Sequence, residues 1–106
     1  MGKIIKPYYS DYIRHAMTFY SRYLHITDFK STVDELNWNA CHRAIRGYSM
    51  RDKYILTYVY GANDTIGDNV YAMANRYGIH QNIIWDMMRD FERKAAIERG
   101  IYYEPR

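Results

Sequence analysis

A chain of 106 residues with 48% hydrophobic residues and a net charge of +3 can bury one modest core, so a single domain over 1–106 is expected. No apolar run approaches the roughly 20 residues that span a bilayer. The opening MGKIIKPYY also lacks the apolar stretch of a signal peptide, which points to the cytoplasm. Cys41 has no second cysteine to pair with, and its neighbours Ala40 and Ala44 make it read as a small core residue. His15, His25, His42 and His80 show no HxxxH or CxxC spacing, so neither a metal site nor a cofactor is expected.

A short basic arm leads to Pro7, which suits a first helical turn, and a helix over 8–24 follows. Tyr9, Tyr12, Ile13, Ala16, Phe19, Tyr20, Tyr23 and Leu24 recur at three- and four-residue spacing, giving an aromatic face for the core. Those tyrosines could instead stack on bases, but only Arg14 and Arg22 interleave with them, which favours packing. The period breaks at His25, and Ser31 or Thr32 can cap a second helix that runs to about Arg46. Its stripe is Val33, Leu36, Ala40 and Ala44, with Trp38, Cys41 and Ile45 beside it. Gly47 ends that helix, and Ser49 caps a third that is expected to carry Tyr54, Ile55, Tyr58 and Val59 inward.

GANDTIGD is the clearest loop, and it delivers the chain to residues 67–100. This stretch reads as a short helix over 68–77, a turn at Gly78 and a long helix over 81–99. A helical pair over 7–47 followed by this unit over 48–100 makes an all-α bundle of about five helices. Ala74 is small where two helices would cross, Gly78 can take a positive φ, and Ile79, Ile84 and Met87 face inward. His80, Gln81, Asn82, Trp85, Asp86 and Arg89 are left on the outer face of the long helix. In a DNA-binding helix-turn-helix that face enters the major groove. The same spacing also fits a structural helical hairpin with no DNA role. In the tail IYYEPR, two tyrosines are placed to fold back.

Residues 1–53 carry nine Lys or Arg against five Asp or Glu, whereas residues 81–99 carry four of each. The excess lies outside the long helix, with Arg43, Arg46, Arg51 and Lys53 gathered around the junction of the second and third helices. Those four are either a solvated corner or contacts for DNA phosphates.

The runs YSMRDKYILTYVYG and VYAMANRYGIHQNIIWDMMRDFERKAA resemble region 4 of sigma-70-type factors and the related small regulators of phages and mobile elements in Gram-positive bacteria. The matching parts are the serine-capped helix with Ser49, Arg51 and Asp52, the Tyr60-Gly61 exit, and Ala74, Gly78, Ile79 and Ile84. About half the chain is covered. It departs from that pattern in a longer loop between Tyr60 and Ala74, in His80 where the family has a Ser or Thr cap, and in Trp85 and Asp86. The N-terminal half is also similar to uncharacterised phage-derived proteins with a YYSDY start.

The resemblance implies a DNA-binding transcription regulator, with double-stranded DNA as partner and RNA polymerase or a second copy adding affinity to a neutral reading helix. Gln81 and Asn82 can pair with adenine, and Arg89 with guanine or phosphate. The alternative is a protein-interaction module on the same scaffold, with Trp85, Asp86 and Met88 exposed on one helical face. No Ser/His/Asp order, paired-carboxylate motif, phosphate-cradling glycine loop or zinc spacing is present, so an enzyme is not expected.

Overall fold

A computed structural model describes residues 6–105, so the start of the basic arm and Arg106 lie outside the described residues. Five helices follow in order: α1 (Ser10–Arg22), α2 (Thr32–Ile45), α3 (Met50–Gly61), α4 (Ile66–Tyr77) and α5 (Gln81–Arg99). The fold is all-α, as the helical periodicity of the sequence implies. Among the described residues, no helix is long and apolar enough to cross a membrane.

Side-chain caps set most of the helix starts. Ser31, Ser49 and Thr65 each accept the backbone N–H three residues on, from Asp34, Asp52 and Asp68, at 3.1–3.2 Å. The Thr65 cap starts α4 at Ile66, two residues earlier than the expected start at Asp68, because the Thr65 hydroxyl accepts the Asp68 N–H and satisfies a donor of the first turn. Gly78 and Gly100 end α4 and α5 at φ 63° and 80°.

The core draws on all five helices, among them Met17, Cys41, Leu56, Val70 and Phe91. α2 packs along α5, α1 against α3 and α2, and α4 against α3 and α5. Ala40 and Ala44 of α2, with Ala95 and Ala96 of α5, are buried and small, which suits a close helix approach. Two expected stripes are corrected. Val33 and Leu36 are exposed at the start of α2, and Tyr12, Tyr23 and Leu24 are exposed on or just after α1, because the core lies against the later turns of α2 and the Ile13–Met17–Tyr20 side of α1.

One internal charge ties this arrangement together. Glu92, only 1% exposed, accepts from the Ser10 hydroxyl at 2.6 Å, Arg14 Nε at 3.1 Å and the Tyr60 hydroxyl at 2.6 Å. A carboxylate taken out of water is tolerated only with such donors, and these come from α1 and α3 to α5. The tail also returns. The Tyr8 hydroxyl donates to the Ile101 carbonyl at 2.5 Å, the Tyr102 ring lies 5.1 Å from Tyr9, and Glu104 pairs with Arg93. Tyr103 stays exposed, so one of the two tail tyrosines packs back.

Candidate functional site

Residues 78–80 are all that separates α4 from α5. At Gly78 the left-handed backbone turns the chain, and the Ile79 N–H donates to the Ala74 carbonyl at 3.1 Å. Ala74 and Ile84 are buried on either side of the turn, while Ile79 and Met87 are half-buried against the core. His80 caps α5: its Nδ1 accepts the Asn82 N–H at 3.0 Å, which makes it the chemical substitute for a Ser or Thr at that position. The bond requires an unprotonated Nδ1, and so a proton on Nε2.

The six residues expected on the outer face divide into three kinds. His80, Gln81 and Asn82 are exposed at the start of α5. Asp86 and Arg89 are exposed one turn on but pair with each other, so neither charge is free. Trp85 departs from expectation: it is half-buried and packed against the core, because it shares the side of the helix that holds Met88. Met88 itself, expected on an exposed face, is fully buried. Ile83 is the residue exposed in their place, at 48%.

The four cations at the α2–α3 junction do not form one cluster with that face. Arg43 donates from Nε to Glu98 at 2.9 Å. Glu98 lies 17 residues along α5 from Gln81, about 25 Å at the helical rise. Arg51 pairs with Asp52 at 3.0 Å, Arg46 is exposed, and Lys53 is half-buried. The junction is pinned to the middle of α5, where the Tyr48 hydroxyl donates to Asp90 at 2.5 Å and Lys94 stands 4.8 Å from the Tyr48 ring centre. Burial and the Asp90 carboxylate push the Tyr48 phenol well above its ordinary range, which keeps it a donor.

Burial of Glu92 alters the charge balance of α5. Its four cations, Arg89, Arg93, Lys94 and Arg99, face solvent or part-solvent with three carboxylates, Asp86, Asp90 and Glu98, so the helix surface is slightly positive and not neutral.

Periodicity missed two residues beside the turn. Arg76, exposed in the last turn of α4, places its guanidinium carbon 5.3 Å from the Tyr54 ring centre and 5.8 Å from that of Tyr77. Tyr54, expected to point inward, is 42% exposed and meets Tyr77 edge to face. A cation in a last helical turn ordinarily reads as a partner of the helix dipole, and nothing in the sequence marks this one as different.

Cys41 is fully buried, and burial pushes its thiol up to about 12, in keeping with a core residue. No family model matches the chain, and comparisons with curated proteins and with solved structures give no match.

Proposed function

We propose that the protein binds double-stranded DNA through the N-terminal half of α5 and acts as a transcription regulator, as its resemblance to sigma-70 region 4 implies. The observation that carries this reading is the three-residue connection at Gly78, with Ala74 and Ile84 buried on either side of it and Gln81, Asn82, Asp86 and Arg89 exposed. A recognition helix offers its first turns to base edges in the major groove. Gln81 and Asn82 carry the amide oxygen and nitrogen that match adenine N6 and N7, each good bidentate pair giving roughly 1–3 kcal/mol of discrimination. Arg89 matches guanine O6 and N7 once it leaves Asp86, and Asp86 matches cytosine N4. With a surface only slightly positive, a single copy binds weakly, and a second copy or RNA polymerase is the expected source of further affinity.

The test is anisotropy binding of the purified protein to a random duplex pool at two salt concentrations, with sequencing of the retained DNA. Affinity that falls with salt and an enriched motif support the reading, and Gln81→Ala and Asn82→Ala should each relax that motif. Binding of both variants with unchanged preference would remove these residues from the site.

Ile83 favours a second reading, a protein-interaction module. An aliphatic side chain 48% exposed between Asn82 and Ile84, beside a self-neutralised Asp86–Arg89 pair, suits a protein partner better than phosphate. This reading predicts no salt-sensitive DNA affinity. Capture of RNA polymerase lost in Ile83→Asp would favour it.

A further inference from the structure

We infer that Arg76, braced on Tyr54 and Tyr77, is a contact to the DNA backbone at the edge of the groove that α5 enters; the inference rests on the DNA-binding reading above. Arg43, Arg51, Arg89 and Arg93 each have a carboxylate within ion-pair distance. Among the described residues Arg76 has none, and its contacts are the two aromatic rings. Neither ring contact is a hydrogen bond, so the guanidinium N–H donors remain available for a bidentate phosphate. A guanidinium already held by rings also loses less freedom when phosphate arrives.

Position adds the second argument. Arg76 lies five positions before Gln81, so their backbones are at most about 18 Å apart. The major groove is about 12 Å wide. A side chain at the end of α4 therefore lies within reach of the strand bordering the groove that Gln81 and Asn82 face.

The rival account is purely structural: Arg76 as a cation for the negative end of the α4 dipole, packed on tyrosines for stability. The two accounts separate in the salt dependence of binding. Wild type, Arg76→Gln and Arg76→Lys are to be titrated with the enriched duplex and with random duplex, each at several salt concentrations. A phosphate contact predicts that Arg76→Gln weakens both duplexes alike and lowers the log–log salt slope by about 0.9. Between about 50 and 200 mM salt the variant then loses roughly threefold less affinity than wild type. Arg76→Lys keeps the charge and the slope. Should Arg76→Gln melt near the assay temperature, Arg76→Met, which keeps the packed stem and drops the charge, gives the same readout.

Wild-type slope and affinity in the neutral variants, with wild type itself binding DNA, would overturn the inference and leave the functional reading intact. Selective loss of the enriched motif in Arg76→Gln would overturn it too, by assigning a base contact. Absence of salt-dependent binding by wild type would overturn the functional reading, and this inference with it.

Discussion

Deep in the protein, the Tyr60 hydroxyl of α3 donates to Glu92 Oε2 of α5 at 2.6 Å, with both residues at most 2% exposed. Burial, then the charge of Glu92, raises the Tyr60 phenol well above its ordinary range, so it stays a donor. Ser10 and Arg14 complete the shell from α1. Glu92→Ala strands two hydroxyls and a guanidinium, and a loss of about 3–5 kcal/mol is expected from breaking such a buried pair. Tyr60→Phe removes one donor of three and should cost about 1–3 kcal/mol. Urea denaturation gives both values. Glu92→Ala no worse than Tyr60→Phe would mean that the carboxylate does not organise the three helices.

Tyr60, with Tyr48 and Asp90, contributes to the pH dependence of stability. Tyr48 and Tyr60 have native pKa values raised above the unfolded value, so their contribution is complete below about pH 10 and erodes as pH climbs toward the raised native values. For Asp90, burial pushes the carboxyl up, but hydrogen bonds from Tyr48, Lys94 and Arg93 outweigh it and the net direction is down. The folded form then binds fewer protons than the unfolded one. Its contribution is present above about pH 4 and lost as pH falls through the lowered native value. Denaturation midpoints measured across pH should show a plateau with both limbs falling. Tyr48→Phe should make both limbs shallower, because it removes one raised phenol and one donor to Asp90. An unchanged acid limb in that variant would detach Tyr48 from the titration of Asp90.

Three glycines should divide when changed to alanine, with Gly61 and Gly78 destabilised and Gly47 not. At Gly61 a Cβ would stand 2.7 Å from Ser21 Cβ, so α1 and α3 must separate, at an expected cost of about 1–3 kcal/mol. Gly78 has open space around it but a φ of 63°, where a side chain costs about 1–2 kcal/mol and asparagine less. Gly47 has neither constraint, so alanine there should be neutral or stabilise by up to about 1 kcal/mol. Thermal melts of the three variants check the division. A destabilised Gly47→Ala would show that space and φ do not explain it.

Local signals made the helices readable. Ser49, Gly78 and Gly100 act where their backbone or capping chemistry says they should, and Ala74 and Ile84 are buried as their spacing implied. What sequence could not supply was which of two similar faces meets the core. Val33 and Leu36 look like core residues but face solvent, and Met88, read as exposed, is enclosed. Glu92 was hidden for the same reason: a charged residue on a helix reads as surface until Ser10, Arg14 and Tyr60, from distant parts of the chain, are seen to surround it. Arg76 and Tyr54 belong to this class too, since their contact joins α3 and α4 across 22 positions of sequence.

His80 offers a test that separates building the start of α5 from reading DNA with it. Its Nδ1 accepts the Asn82 N–H at 3.0 Å, so His80→Ala removes the cap and should cost about 0.5–2 kcal/mol. The first turn it frays carries Gln81 and Asn82, so site preference should weaken while the salt slope holds. His80→Ser restores a capping oxygen and therefore the stability. If the imidazole only caps, preference returns with stability in that variant. If its Nε2–H also touches a base, stability returns without the preference, because serine is too short to make that contact. Comparing melting temperature and enriched motif for the three proteins distinguishes the outcomes. A His80→Ala protein as stable as wild type would show that α5 starts without this cap.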